Sequence, residues 1–137
     1  MSIREKLLLI DHKNKEAIIQ AEDFAGKVLE EIQDPTIFSS SFQKVQELII
    51  TSLPDELKFS TKANQAAGTR IRNAMQEIKV ITGAIMKVVQ VIRKTDEIHG
   101  FTHKINKSAA VRLRHLLTDN KNLAQEIRVE IQDLKNA

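Results

Sequence analysis

Ile71, Ile78, Ile85 and Ile92 recur at intervals of seven, with Ala74, Met75, Ile81, Val88 and Val89 between them. With Ile71 at heptad position a, these residues fall at a, d and e, which is one face of an α-helix. The stripe returns downstream as Leu113, Leu116, Leu117, Leu123, Ala124, Ile127, Ile131 and Leu134, with polar Asn120 at an a position. An Asn there either fixes register or oligomer state, or sits at a water-filled bundle end. Upstream, Ile3, Leu7, Ile10, Ala17, Ala21, Phe24 and Val28 share one face, and Phe42, Val45, Leu48 and Ile49 share another.

No stretch alternates with the period of two that a half-buried strand requires. The pattern therefore predicts an all-α protein: a bundle of about four helices, of which the two long heptad-patterned ones form a hairpin. The first helix is expected from about Ile3 to Gln33, ended by Asp34-Pro35. A second is expected to be capped by Ser39, Ser40 or Ser41, with Ser52-Leu53-Pro54-Asp55-Glu56 as a stop and restart that places Pro in a first turn. Thr61 or Asn64 can cap a third helix reaching about Lys94. Gly100 to Asn106 marks the next break, and the fourth helix runs to near the C-terminus.

An offset of 42 aligns Lys62-x-Asn64-x-Ala66-Ala67-Gly68-x-Arg70-Ile71-Arg72 with Lys104-x-Asn106-x-Ser108-Ala109-Ala110-x-Arg112-Leu113-Arg114. The match extends to Phe59/Phe101 and Ser60/Thr102 on one side and to Glu77/Asp119, Lys79/Lys121, Ile85/Ile127 and Gln90/Gln132 on the other. This is an internal duplication. Because the offset is a whole number of heptads, both copies keep the same helical faces.

Charge is unevenly spread over the 137 residues. Residues 1–57 carry 6 Lys/Arg against 11 Asp/Glu, whereas residues 58–137 carry 15 against 7, for a net charge of +3 overall. A basic half joined to an acidic half implies an anionic partner, or packing of one half on the other. In the fourth helix Lys107, Arg114, Lys121, Arg128 and Lys135 all occupy position b with no acid among them, and Val111, Thr118, Gln125 and Gln132 occupy the adjacent f positions. Seven-residue spacing gives a straight row roughly 40 Å long. The first copy keeps Arg72, Lys79 and Arg93 but has Gln65 and Met86 at the other b positions, while Asp119, Glu126 and Asp133 collect at g. Such a row is either a flank that solvent or the acidic half neutralises, or the footprint of phosphate contact. With no Trp or Tyr and with the Phe residues away from most cations, a duplex backbone suits it better than stacked single-stranded bases.

The stretches Ala66-Ala67-Gly68-Thr69-Arg70-Ile71-Arg72-Asn73-Ala74-Met75-Gln76-Glu77-Ile78-Lys79 and Lys121 to Ala137 resemble successive parts of the bacterial histone H1-like, Hc1-type nucleoid proteins, and Phe42 to Phe59 resembles the first helix of that family. The resemblance implies a helical-hairpin unit over residues 42–137, preceded by an acidic helical segment at 1–41, within a single domain. It also implies DNA binding without sequence preference, in the bacterial cytoplasm, with Arg70, Arg72, Lys79, Lys121 and Arg128 as the positions carried over. The Lys/Ala-rich C-terminal tail of some members has no counterpart here, which assigns the expected contacts to helix faces. Together with the row, the expected DNA-binding residues are Arg70, Arg72, Lys79, Lys107, Arg112, Arg114, Lys121, Arg128 and Lys135. The expected partners are duplex DNA and further copies of the chain. The alternative is an oligomerisation or protein-interaction module that never meets nucleic acid.

Other chemistry is sparsely represented. The absence of Cys removes disulfides and thiolate sites. No apolar stretch approaches the roughly 20 residues of a membrane span, and the start of the chain lacks a signal-peptide pattern. His99 and His103 are spaced i, i+4 near Asp96, but Gly100 interrupts them and no third ligand follows. His12 and His115 stand alone. Ser39-Ser40-Ser41 has no base pattern around it, the four glycines form no phosphate loop, and Glu30-Glu31 and Asp55-Glu56 read as solvated charges. No enzyme, cofactor, metal or small-molecule substrate is expected.

Overall fold

The computed structural model describes residues 1–25, 36–98 and 105–137. The described residues form four helices: α1 (Ile3–Ala25), α2 (Thr36–Lys62), α3 (Gln65–Ile98) and α4 (Lys107–Asn136). No strand occurs among the described residues. The expected extension of the first helix to Gln33, its Asp34-Pro35 stop, and Gly100 all lie outside the described residues. None of the described helices is long and apolar enough to cross a membrane.

The two copies start their long helices identically. Asn64 Oδ1 accepts a hydrogen bond from the Ala67 N–H at 3.0 Å, and Asn106 Oδ1 accepts from the Ala109 N–H at 3.0 Å. Each Asn thus satisfies an N–H that the first helical turn cannot. Of the two candidate caps for α3, Asn64 is the one used. The turn before it requires Ala63 in the left-handed region at φ 52°. The Asn106 N–H in turn bonds to the Phe24 carbonyl at 3.1 Å, pinning the start of α4 to the end of α1.

Two expectations for α2 fail. The helix begins at Thr36, so Ser39, Ser40 and Ser41 lie inside it and do not cap it. It also runs through Pro54 without a break. Pro54 removes the N–H that would bond to the Ile50 carbonyl, but Ile50 is 56% exposed, so water reaches that turn. Val45, Ile49, Ser52, Glu56 and Phe59 continue one buried face across the proline, and this packing outweighs the local defect.

The helices form an antiparallel ring in which α1 packs on α2 and α4, and α3 packs on α2 and α4. The long stripes close against the N-terminal half within one chain. Ile71, Ile78, Ile85 and Ile92 are all buried, as are Leu113, Leu117, Leu123, Ala124, Ile127 and Ile131. Each buried Ile or Leu among them stabilises by about 1.5–3 kcal/mol, against about 0–1 kcal/mol for a surface ion pair, so the stripes decide the fold. Leu134 departs from the expected stripe, being 53% exposed while Ile131 is fully buried. A straight α-helix slips by about 20° per heptad, and three heptads beyond Leu113 that rotation has carried position a out of the core. Gly68 is required by packing. A Cβ there would lie 2.8 Å from the Phe59 ring and 3.0 Å from Lys135 Cε.

A polar level divides the core. Ile3, Leu7, Ile10, Val45, Ile49, Ile71, Met75, Ile78, Leu123 and Ile127 belong to one apolar cluster, and Ala17, Phe24, Phe42, Ile85, Val89, Leu113 and Leu117 to the other. Between them each of three helices places one buried polar residue: Asn14, Thr82 and Asn120. Asn14 donates to the Phe42 carbonyl at 3.1 Å, Thr82 to the Ile78 carbonyl at 2.6 Å, and Asn120 to the Ile10 carbonyl at 3.3 Å. Asn120 therefore sits between the two clusters, away from the bundle ends, and its Oδ1 has no partner among the described residues.

An unsatisfied buried acceptor costs about 1–3 kcal/mol, so Asn120→Leu is expected to stabilise the fold by about 1–2 kcal/mol, read as a higher denaturant midpoint; a lower midpoint contradicts this account. Pro54→Ala is likewise expected to raise stability, by about 1–3 kcal/mol in the same assay, because α2 is continuous there.

Candidate functional site

Two cross-helix contacts set the register of the α3–α4 seam. Lys79 Nζ donates to Gln125 Oε1 at 2.7 Å, and Lys135 Nζ donates to Thr69 Oγ1 at 2.5 Å. Ten residues up α3 correspond to ten residues back along α4. Viewed from one end, the heptad wheels of antiparallel neighbours run in opposite senses, so like positions face each other across a seam. A duplication that preserves heptad phase therefore brings the b rows of both copies into one groove.

The register interleaves them. Arg72 lies level with Gln132, between Lys135 and Arg128; Lys79 lies level with Gln125, between Arg128 and Lys121; Arg93 lies level with Val111, between Arg114 and Lys107. Met86 falls level with Thr118 and leaves a gap between Lys121 and Arg114. The rise of 1.5 Å per residue puts eight cations on roughly 40 Å of seam, about 6 Å apart on average instead of about 10 Å along one helix.

The row is not straight as expected from seven-residue spacing. The same slip that exposes Leu134 turns position b toward α3 along α4. Lys107, Arg114 and Lys121 are exposed, whereas Arg128 and Lys135 are half-buried, as are Arg72, Lys79 and Arg93 on α3.

Among the described residues, the acidic half does not neutralise three cations of this seam. Arg93, Arg114 and Lys121 make no hydrogen bond or ion pair among the described residues. Two of its carboxylates are engaged elsewhere: Asp55 with Arg70, and Glu56 with Arg4 at 3.5 Å. On the α1–α4 seam the N-terminal half supplies cations instead, Lys13 to Asp119 at 3.0 Å and Lys6 to Glu130 at 3.2 Å.

Two expected site residues lie apart from the groove. Arg70 and Arg112 occupy equivalent g positions, on the opposite side of their helices from b. Arg70 grips Asp55 through Nε at 3.1 and 3.2 Å and through Nη2 at 2.8 Å, and Arg112 Nε donates to Gln20 Oε1 at 2.8 Å. The hydrogen bond from Arg70 holds the Asp55 carboxyl below its ordinary pKa; desolvation opposes this, and the charges of Arg70 and Lys58 assist it. The same bond raises the Arg70 pKa.

At the α3 N-terminal end of the seam, Arg72, Arg128, Gln125, Gln132, Val129 and Asp133 line a cleft of about 200 Å³. The Nε atoms of Arg72 and Arg128 are both buried and without a hydrogen-bond acceptor among the described residues. Sequence reasoning missed this cleft and the interleaving; the whole-heptad offset, combined with an antiparallel hairpin, was the signal for both. Among the described residues, no group of three or more His, Cys, Asp or Glu could hold a metal. His99 and His103 lie outside them.

A family profile described as histone H1-like protein Hc1 matches residues 39–95 and again residues 94–137. The two matches end at 95 and 137, which is the offset of the internal repeat. No curated protein and no solved structure gives a significant match.

A carboxyl with a depressed folded-state pKa contributes stability above its unfolded pKa, near 3.8 for Asp55, and loses it as pH falls through the lower folded value. Arg70→Gln is therefore expected to lower stability at neutral pH and to flatten its loss below about pH 4. Denaturation midpoints between pH 2 and 7 check this, and an unchanged acid limb contradicts it.

Proposed function

The chain belongs to the histone H1-like protein Hc1 family, and we propose that it is a nucleoid-associated protein binding duplex DNA without sequence preference through the α3–α4 seam. The observation that carries this reading is the interleaving of Lys135, Arg72, Arg128, Lys79, Lys121, Arg114, Arg93 and Lys107 along one groove. A duplex offers a phosphate on each strand about every 3.4 Å of its axis, so a seam of roughly 40 Å covers about one helical turn.

Each neutralised phosphate releases condensed counterions, and this entropy drives binding regardless of sequence. The described helices present no Trp or Tyr to stack on bases, and their two ring-paired residues, Phe38 and Phe42, are buried in the core. In this reading Arg72, Lys79, Lys107, Arg114, Lys121, Arg128 and Lys135 contact phosphates, joined by Arg93, while Arg70 and Arg112 serve the bundle.

Titration of random duplex against salt is expected to give a slope of log K on log salt of about −4 to −7. Glu substitutions at Arg114 and Lys121 together are expected to weaken binding by about a hundredfold or more at low salt. Met86→Lys, which fills the gap in the seam, is expected to tighten binding and steepen the slope by about 0.9. Gln at Arg112 serves as the control and is expected to change affinity by less than about threefold. Absence of binding to random duplex at low salt, or indifference to the double charge reversal, overturns the proposal.

A further inference from the structure

We propose that the cleft between Arg72 and Arg128 is a seated site for a single phosphate group, which in the DNA complex is one backbone phosphate at the α3 N-terminal end of the seam. The inference rests on the reading of the seam as a DNA surface, but its chemistry is local. Two arginines from different helices line one cleft of about 200 Å³. An arginine Nε–H normally finds an acceptor; both of these are buried and have none among the described residues. Such orphaned donors cost free energy as they stand and are relieved when the side chains turn to meet an oxyanion in the cleft.

The remaining lining fits that ligand. Lys79 can only donate, so its 2.7 Å bond must be to the carbonyl oxygen of Gln125, which leaves the Gln125 NH2 group as a further donor beside the cleft. The volume equals roughly six or seven waters, enough for a phosphate group and part of its hydration. Asp133 also lines the cleft and forms no ion pair with either arginine, so its carboxylate sets a repulsive edge against an anion. Arg114 and Lys121 differ in kind: they are exposed and offer diffuse charge. Arginine supplies a planar fork that lysine cannot, and the distinction between seated and diffuse contact is therefore measurable.

The test uses the full chain and two probes. Inorganic phosphate is titrated with sodium chloride adjusted to hold ionic strength, while the arginine Nε–Hε signals are followed by NMR. Saturable shifts of Arg72 and Arg128, absent at Arg93 and Arg114, support the site, as does a several-fold tighter phosphate affinity in Asp133→Asn. Shifts that chloride alone reproduces overturn it. In the second arm the variant carrying both Arg72→Lys and Arg128→Lys, which keeps the charge and removes the forks, is compared with the unmodified chain on random duplex. A loss of about tenfold with an unchanged salt slope supports a seated backbone phosphate, and equal affinity overturns it while leaving the seam intact. Should the unmodified chain fail to bind duplex at all, the seam reading falls by itself and the phosphate titration decides the cleft.

Discussion

Everything on the basic side of this bundle follows from one geometric constraint: antiparallel neighbouring helices meet on like sides of their heptad wheels. Around a four-helix ring the seams therefore alternate between the two sides of each wheel. The side carrying Arg72 and Lys79 on α3 meets the side carrying Arg128 and Lys135 on α4, and the opposite sides meet α2 and α1. There Arg70 finds Asp55, and Asp119 finds Lys13. Charges sorted by heptad position become charges sorted by seam, with compensated pairs on the seams that join the two halves of the chain.

The core depends on the same phase. Copies one and two bury equivalent positions, Ala67 with Ala109, Gly68 with Ala110, Ile71 with Leu113, Met75 with Leu117, Ile85 with Ile127 and Val89 with Ile131. They differ at the middle, where Ile78 and Thr82 in the first copy correspond to Asn120 and Ala124 in the second. Because the copies run antiparallel in space, Thr82 and Asn120 nonetheless arrive at the same level, joined there by Asn14. Partly buried Ile81 packs against the apolar clusters on both sides of that level. A sliding error of one helix against another would place an Asn in an apolar layer, so the polar level specifies register at some cost in stability.

How much of this was legible in the chain depends on whether a feature repeats. The isoleucine stripe and the cationic row each occur with a period and a duplicate, and the helices they define lie where periodicity puts them. The duplicate also holds the Asn cap, which the sequence leaves as one of two candidates at Asn64 and does not single out at Asn106. Single local signals did worse. Pro54 reads as a break, yet the buried face running from Val45 through Ser52 to Phe59 carries α2 past it; Ser39, Ser40 and Ser41 read as caps, yet the helix starts at Thr36. Leu134 obeys the heptad and still faces solvent, because an ideal seven-residue repeat and a 3.6-residue helix diverge over three turns of the pattern. The seam itself required knowing which helices are neighbours. Arg70 and Arg112 looked equal to Arg72 and Arg114 in sequence, and only the ring order sends them to different partners.

The slip of the heptad also grades the seam along its length. Near Arg114 and Lys121 position b points outward and its charges are solvated; toward Arg128 and Lys135 it turns inward against α3. Solvated cations attract any polyanion from a distance of about a Debye length, whereas half-buried arginines with fixed stems contact only what fits between them. The duplication supplied both copies with the same row, and the helical drift gave the two ends of that row on α4 different exposure. Under the proposed DNA reading, capture falls to the exposed stretch around Lys121 and Arg114, and positioning falls to the end that holds Arg72 and Arg128.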